Sequence, residues 1–289
     1  MGGVATRAAL ERGTSPKAFR AAVRAGVVVR DAHGRYSLPV ADEALRRANA
    51  LTGVVSHRTA ALHWGWEVKT VPETPDITVR RKRHLGPDQA ADVELHWADL
   101  HPDEVVGVVT SVERTVTDCL RSLPFDEALA VADSALRHRS VSKTRMLGLA
   151  ARVNGPGARQ ARRVAGEATP LAANPFESVL RAVALDVPGL DLRPQVVIAD
   201  GDGAGRTDLA DRARRWVVEA ESHTWHSRRG ALRRDCRRYT KLVLLGWRVI
   251  RFAWEDVMFC QDYVRECLIA AAELSSQQAD HPEAAGPVA

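Results

Sequence analysis

The chain has 289 residues and a mass of 31.6 kDa, which is the length of about two ordinary domains. Hydrophobic residues make up 45% and charged residues 27% of it, proportions typical of soluble globular proteins, so a single small module and wholesale disorder are both excluded. The formal net charge of +5 is a mild indication of a polyanionic partner.

The sequence also limits the cellular setting. No segment reaches the roughly 18 apolar residues of a membrane-spanning helix, and residues 1–13 lack the apolar core of a signal peptide, so we expect a cytoplasmic protein without membrane contact. The cysteines are widely spaced and contain no CxxC pair, which indicates reduced and mostly buried thiols rather than a zinc site or a disulfide framework. They are Cys119, Cys236, Cys260 and Cys267.

Positive charge is concentrated in two parts of the chain. Residues 1–40 alone carry a net charge of +5, and residues 228–251 contain nine basic residues opposed only by Asp235. Two separate basic surfaces predict two contacts with nucleic-acid phosphates. For any single arginine, the alternative is an ordinary solvated helix face.

Residues 1–40 predict a winged helix-turn-helix. Thr6 can cap a short helix, Ser15 can cap a second helix over residues 16–25, and residues 27–38 form a hairpin pattern around the turn DAHGR. Phe19 and Val23 would pack inward while the second helix enters the major groove. The predicted DNA contacts are Lys17, Arg20 and Arg24 on this helix and Arg35 near the hairpin turn.

Two points stay open for this module. A small helical cap with a basic surface is the alternative to DNA binding. Winged helices usually carry another helix before these two, so either the domain is minimal or the true start of the chain lies upstream.

Residues 41–153 predict a mostly helical α+β region with extended segments at 75–79 and 93–97. Asp118 and Asp133 lie on amphipathic helices, where a surface or capping role is expected rather than chemistry. The histidines of this region share no metal-ligand spacing, so they are assigned no chemistry. They are residues 57, 63, 84, 96 and 101.

Three motifs in this region carry a resemblance. SHRTAALHWG at 56–65, TSVERTVTDCLR at 110–121 and DEALAVADSALR at 126–137, placed after a winged helix, resemble the AbiEi family of type IV toxin–antitoxin antitoxins. The resemblance covers roughly residues 1–140 and implies an N-terminal domain that binds operator DNA and represses transcription. It identifies neither a cognate toxin nor a homo-oligomer.

The rest of the chain predicts a linker at 154–173, a C-terminal domain at 174–275 and a disordered tail at 276–289. The domain pattern is α/β with a mixed sheet. Its helices are expected at 175–186, 229–245 and 256–274, and its strands at 194–199, 206–210, 215–221 and 247–253.

Three acidic residues of this domain form a candidate site. In the strand WVVEAE, Glu219 and Glu221 share one face, and Asp208 joins them if the loop between the two strands has an even number of residues. Clustered carboxylates repel one another unless a cation lies between them, so the pattern favours one or two Mg²⁺ or Mn²⁺ ions held by Asp208 and Glu219. The alternative is surface charge diluted by Arg212, Arg214 and Arg215.

Glu177 has two possible roles. It stands at the third position of a helix that begins with Asn174 and Pro175, where a capping-box carboxylate belongs. It could also lie at the mouth of the carboxylate patch as a further ligand of metal or water, and the two roles do not exclude each other.

A second resemblance follows from an ordered series of motifs. NPFESVLR at 174–181, RTDLAD at 206–211, VVEAESHTWH at 217–226 and the segment 233–257 resemble the Vsr-like endonuclease domain of the PD-(D/E)XK superfamily. The resemblance implies that Asp208 is the metal-binding aspartate, Glu219 the acid of the (D/E)XK element and Glu177 the helix acid.

The motif departs from the superfamily at one position. Glu221 stands where the superfamily has its lysine, so His226, His223 or a basic residue of the following helix, such as Arg234, would have to supply the missing proton relay or cation.

That following helix carries a predicted apolar stripe of Leu232, Cys236, Tyr239 and Val243. Basic side chains off the stripe are suited to holding a phosphate backbone against the carboxylates. They are Arg233, Arg234, Arg237, Arg238 and Lys241.

Together these features predict a DNA-binding protein with a Mg²⁺-dependent endonuclease domain. The alternative is a non-catalytic antitoxin or transcriptional repressor with a degenerate nuclease fold, so whether the chain is an enzyme stays open.

Overall fold

The computed structural model of the chain describes residues 2–198, 205–221 and 229–280, with side chains described over 233–277 of the last range. The fold is mixed α+β, as predicted, and it divides into two compact units. Unit 1 comprises residues 1–123 and 138–167, and unit 2 comprises 124–137 and 168–289.

Unit 1 begins with a small sheet and two helices. The elements are β1 (Val4–Thr6), α1 (Arg7–Gly13), α2 (Pro16–Arg24), β2 (Val29–Ala32) and β3 (Arg35–Ser37), and the strand order is β1-β3-β2. The predicted caps form, since the hydroxyl of Thr6 accepts from the amide of Ala9 and that of Ser15 accepts from the amide of Ala18. The sequence did not predict β1. The hairpin was predicted to begin at Val27, but Val27 is exposed and the first hairpin strand begins two residues later, at Val29.

A third helix closes this first layer. α3 (Glu43–Leu51) follows the hairpin, and its Asn49 amide donates to the carbonyl of Tyr36 at 3.0 Å. Arg46 on the same helix pairs with Asp31 of β2 at 3.2 Å. α3 therefore packs against the hairpin that precedes it.

The centre of unit 1 is a five-stranded sheet with the order β6-β5-β4-β8-β7. The two predicted extended segments are neighbouring strands, β5 and β6, which run parallel and place Thr78 beside His96. The elements are β4 (Val54–Val55), α4 (His57–His63), β5 (Asp76–Val79), α5 (Pro87–Ala90), β6 (Glu94–Trp97), β7 (Val105–Val106) and β8 (Val109–Thr110).

Helices complete both units. α6 (Val112–Ser122), α8 (Lys143–Arg152) and α9 (Ala158–Glu167) belong to unit 1, and α7 (Phe125–Arg137) belongs to unit 2. The predicted linker at 154–173 was wrong over α9, which buries Ala161, Val164 and Ala165 along one face. The Gly- and Arg-rich composition hid this stripe because small alanines provide most of it.

α7 lies in unit 2 because it packs against α10 (Pro175–Ala184). Asp133 of α7 is fully buried, and a guanidinium nitrogen of Arg181 contacts both its oxygens at 2.9 and 2.8 Å. The amide of Thr169 and the hydroxyl of Ser178 donate to the same carboxylate. The expected surface or capping role was therefore wrong for Asp133. It was also wrong for Asp118, which is 3% exposed and pairs with an arginine one turn away.

The second half of unit 2 is built on a four-stranded sheet with the order β14-β13-β12-β9. β13 and β14 are parallel, because α11 connects them, and the other pairs are antiparallel. The elements are β9 (Arg193–Pro194), β10 (Val197–Ile198), β11 (Gly205–Arg206), β12 (Leu209–Asp211), β13 (Trp216–Glu221), α11 (Arg229–Leu244), β14 (Arg248–Ala253), α12 (Trp254–Phe259) and α13 (Gln261–Asp280).

Several predicted boundaries of unit 2 changed. The strands expected at 194–199 and 206–210 are each divided into two short strands, and β10 and β11 pair as a separate ribbon. α13 continues to Asp280, so the predicted disordered tail was wrong over residues 276–280, and residues 281–289 lie outside the described part. Among the cysteines only Cys119 is buried, and all four are free thiols.

The sheet of unit 2 has a core on each face. Leu209, Trp216 and Val218 point to the face that is covered by α10, α12 and α13, while Ala210 and Val217 point to the face that is covered by α11. No helix in the described part of the chain is long and apolar enough to cross a membrane.

The buried ion pair between α7 and α10 gives the first testable prediction. Asp133→Ala leaves the Arg181 charge buried without its carboxylate, so we expect a loss of about 3–5 kcal/mol in the free energy of unfolding. Asp262→Ala, at a carboxylate that is 91% exposed, should cost less than about 1 kcal/mol. Urea denaturation followed by circular dichroism measures both, and equal losses for the two variants would contradict this assignment.

Candidate functional site

Asp208 and Glu219 lie side by side on the α11 face of the unit 2 sheet. Residues 212–215 connect β12 to β13, so the loop has the even length that this pairing required. Leu209 pairs with Val218, and one step further along the antiparallel ladder Asp208 comes opposite Glu219. The amide of Ala220 donates to Asp208 Oδ2 at 2.8 Å, and the Asp208 carboxyl is within hydrogen-bonding reach of Glu219.

Burial raises the pKa of both acids, and for Glu219 the charge of Asp208 adds to the effect. Glu219 is only 4% exposed, and burial, followed by the charge of Asp208, raises its pKa to about 7 although Arg238 opposes the shift. Burial also raises the pKa of Asp208. Two carboxyls that resist ionisation together would be stabilised in their charged forms by a cation between them.

Glu177 performs its capping role and is linked to Asp208 through Gln195, but its carboxylate does not come within 4.8 Å of both Asp208 and Glu219 as a third metal ligand would. Asn174 Oδ1 accepts from the Glu177 amide at 3.0 Å, and Glu177 Oε2 accepts from the Ala173 amide at 2.9 Å. The same Oε2 accepts from Gln195 Nε2 at 2.8 Å, and the Gln195 amide donates to the backbone carbonyl of Asp208. Burial, opposed by its hydrogen bonds and reinforced by the charge of Asp208, raises the pKa of Glu177.

Glu221, two residues after Glu219 in β13, is held in a separate set of contacts. Its carboxylate accepts from Arg251 Nε at 2.9 Å and from the hydroxyl of Tyr239. Burial disfavours its ionisation, but the hydrogen bonds from Arg251 and Tyr239 lower its pKa overall. Glu221 therefore brings the cation of Arg251 to this end of β13.

Arg238 is the basic residue that reaches the carboxylate pair. Its Nη2 donates to Glu219 Oε1 at 2.6 Å and to the carbonyl of Arg206 at 2.8 Å. Glu219 therefore contacts both a carboxyl and an arginine.

The predicted apolar stripe of α11 was right for Tyr239, which packs against the sheet core, but wrong for two other members. Cys236 is exposed and Val243 is 60% exposed, whereas Leu242 is buried against the sheet. Arg238 and Tyr239 lie on the sheet side because Glu219 and Glu221 hold them there. The basic side chains on the solvent side are Arg233, Arg234, Arg237 and Lys241.

The described residues leave out one part of the predicted site. His226 lies outside them, as does His223, and so does the side chain of Leu232.

The predicted DNA-contacting surface of unit 1 is exposed on α2. Phe19 is buried and packs edge-on against Tyr36 at 5.0 Å, as its inward position predicted. Arg35 is half-buried at the start of β3, opposite Thr6. A groove of about 590 Å³ runs along this surface and includes the exposed side chains of Lys17, Arg20 and Arg24.

Sequence reasoning missed one cluster. His57, Asp76 and His96 of unit 1 place ligating atoms within 4.8 Å of one another, which no other group of three or more histidine, cysteine or acidic side chains in the described ranges does. Burial, followed by the charge of His96, lowers the pKa of His57 to about 3. The three residues come from separate segments of the chain, so no local spacing marks them. The one available signal was that Asp76 and His96 lie in the two predicted strands, 75–79 and 93–97, which pair as neighbours if they belong to one sheet.

Comparison with known proteins assigns no family. No protein-family model matches the chain. Two curated relatives, the uncharacterized proteins Rv2248 and MT2308 from strains of Mycobacterium tuberculosis, are each 31% identical over 153 residues, which is 52% of this chain and 56% of theirs. The chain thus spans little more than half the length of these relatives.

Among solved structures, the RV2827C protein of Mycobacterium tuberculosis has 14% identity and a TM-score of 0.33, with coverage of 68% of this chain and 83% of that one. A likeness at this level carries no argument about fold.

The raised pKa of Glu219 predicts a pH effect on stability. A carboxyl whose pKa is about 7 in the folded chain and about 4.5 when unfolded stabilises the fold at low pH, and this contribution is lost as the pH rises through 7. In the absence of metal, Glu219→Gln should therefore be more stable than wild type at pH 8 by on the order of 2 kcal/mol, with little difference at pH 4.5.

Urea denaturation in EDTA between pH 4.5 and pH 8 measures this difference. Glu221→Gln is the matched control with the opposite sign, because its pKa is lowered, and this variant should lose stability at pH 8. A Glu219→Gln variant that is no more stable than wild type at pH 8 would contradict the assignment.

Proposed function

We propose that unit 2 is a Mg²⁺-dependent endonuclease domain that hydrolyses phosphodiester bonds, and that the first 40 residues bind DNA as a winged helix. The observation that carries the proposal is the buried pair of Asp208 and Glu219. Burial raises the pKa of both acids and the charge of Asp208 raises that of Glu219 further, which weakens the fold when both are ionised. A functional ligand therefore accounts for their juxtaposition better than a structural role does.

The arrangement of unit 2 supports the resemblance to the PD-(D/E)XK superfamily. The strand acid Asp208 lies beside Glu219 of the following strand, and its charge also acts on the helix acid Glu177. These are the three positions that the motifs implied. In unit 1, the exposed basic face of α2 next to a three-stranded sheet supports the winged-helix assignment.

The donor set fits a hard divalent cation. Asp208 and Glu219 offer carboxylate oxygens, the donor type that suits Mg²⁺ or Mn²⁺. Glu177, which is hydrogen-bonded to Gln195, would join them only after its side chain moves. A bound ion would supply an activated water and stabilise charge on the departing oxygen. Arg238 occupies Glu219 Oε1, so Glu219 would ligate while it remains paired with this arginine or after the arginine moves to a phosphate.

The basic residues around the site have separable roles in this proposal. Arg233, Arg234, Arg237 and Lys241 on the solvent side of α11 would bind the phosphate backbone. Arg238 and Arg251 lie beside the acids and would provide the positive charge that the missing lysine supplies elsewhere in the superfamily. His226 stays a candidate proton relay.

One observation favours a second function. The Glu219–Arg238 contact at 2.6 Å already neutralises the acid, as expected for a nuclease fold that has become a binding platform. In that case the protein would be a non-catalytic antitoxin or repressor that uses both basic surfaces to bind DNA.

A cleavage assay separates the two functions. We expect the wild type to cut supercoiled plasmid or single-stranded DNA with Mg²⁺ or Mn²⁺ and not with EDTA. Asp208→Asn and Glu219→Gln should each lower the cleavage rate by more than roughly 100-fold, because each would remove a direct metal ligand. Loss of a residue that only orients a metal ligand already costs roughly 10- to 100-fold. Asp262→Asn, at an exposed carboxylate, should cut normally. A wild type that binds DNA without cutting it under any of these conditions would favour the repressor.

The salt dependence of DNA binding tests the α2 surface. Lys17→Ala, Arg20→Ala and Arg24→Ala should each reduce the slope of log K against log salt by about 0.9, the contribution of one phosphate contact. Arg265→Ala, in unit 2 and paired with Asp262, should leave the slope unchanged. Fluorescence anisotropy with labelled duplex measures these slopes, and three unchanged slopes would rule out phosphate contact by this surface.

A further inference from the structure

His57, Asp76 and His96 meet at one end of the five-stranded sheet of unit 1. His57 is the first residue of α4 and comes two residues after the end of β4, Asp76 is the first residue of β5, and His96 lies in β6. His96 Nε2 is 3.0 Å from Asp76 Oδ1, and the two imidazole rings stack at 3.6 Å with an interplanar angle of 21°. Ligands of a tetrahedral Zn²⁺ stand about 3.4 Å apart, since each is about 2.0–2.1 Å from the ion, and the ligating atoms of these three residues lie within 4.8 Å of one another. Because an imidazole nitrogen binds a metal in the plane of its ring, one of the two stacked rings would rotate when an ion binds.

A surrounding set of hydroxyls holds these groups in place. The Ser56 hydroxyl contacts His57 Nδ1 at 2.9 Å and accepts from Thr78 Oγ1 at 2.8 Å, which leaves His57 Nε2 as the ligating atom. The amide and hydroxyl of Thr59 donate to Asp76 Oδ2, while Oδ1 faces His96. Metal-binding histidines and carboxylates are oriented by outer partners of this kind.

The backbone of His57 is a second, independent indication. Its φ is +49°, in the left-handed region that a non-glycine residue adopts at a cost of about 1–3 kcal/mol. The residue is also 6% exposed. Such strain persists where the surrounding structure fixes a side chain for function, and here it fixes an imidazole against Asp76 and His96.

The cluster is accessible from one side. A cavity of about 480 Å³ is lined by His57 and His96 together with the arginines Arg81, Arg114 and Arg121. The cavity gives an ion a route to the cluster and leaves room for a water or an anion at any coordination position that the protein does not fill.

We propose that His57, Asp76 and His96 form a binding site for a divalent first-row transition metal, with Zn²⁺ as the best fit. Two imidazoles and one carboxylate select such an ion over Mg²⁺ or Ca²⁺, which prefer oxygen ligands. His96 would bind through Nε2 with its proton on Nδ1. The site belongs to unit 1 and is separate from the carboxylate pair of unit 2, so the proposal does not depend on the proposed function.

Zinc titration of the full chain tests the proposal. After EDTA treatment and removal of any affinity tag, calorimetry should show one Zn²⁺ bound per chain at this site with a Kd of about 1 µM or lower. His96→Ala should weaken this binding by at least about 100-fold. The matched control His84→Ala, at an exposed histidine, and the unit 2 variant Asp208→Ala should retain it.

A spectroscopic measurement on the wild type guards against a variant that fails to fold. X-ray absorption of the Zn²⁺-loaded chain should show two imidazole ligands. The visible spectrum of the Co²⁺-loaded chain should change in His96→Ala and not in His84→Ala. A wild type that takes up no Zn²⁺, or whose uptake and spectra are the same in His96→Ala, would overturn the proposal.

Discussion

Glu219 is buried in β13 between a like charge and an opposite charge, and much of unit 2 is organised around that position. Removing a carboxylate from water costs several kcal/mol unless it is paired or protonated. Arg238 pairs with it at 2.6 Å, while Asp208 beside it raises its pKa. The chain achieves this because α11 connects the parallel strands β13 and β14 and must therefore cross the face that carries the acids.

This connection gives α11 two sides with different uses. On the sheet side, Arg238 and Tyr239 hold the acids Glu219 and Glu221, and Leu242 fills the core. On the solvent side, the remaining basic residues are exposed. In the proposed function, a nucleic acid that binds the solvent side would bring phosphate charge towards Arg238. If Arg238 then turned from Glu219 to the phosphate, a cation would be needed beside Glu219 in its place. Nucleic-acid binding and metal binding are thereby expected to be coupled at this site.

Local chemistry determined what could be predicted from the sequence. The caps Thr6, Ser15 and Asn174 act within three residues of themselves, so the helices they begin were predicted within a few residues. The pairing of Asp208 with Glu219 was also accessible, because the parity of a four-residue loop and the alternation of a strand determine it.

Features that depend on distant contacts were not predictable. Asp133 looked like a surface acid because its partner Arg181 is 48 residues away. Cys236 and Val243 were wrongly included in the buried stripe of α11, because hydrophobicity alone cannot show that Arg238 faces a buried glutamate. His57 and His96 were set aside for the same reason, since only strand pairing brings them to Asp76.

The central claim is that a divalent cation binds between Asp208 and Glu219. Anomalous diffraction from crystals of the chain soaked in Mn²⁺ tests it most directly. The account predicts an anomalous peak in contact with oxygens of both residues. A map from such a crystal with no peak between Asp208 and Glu219, and with Arg238 still bonded to Glu219, would contradict it.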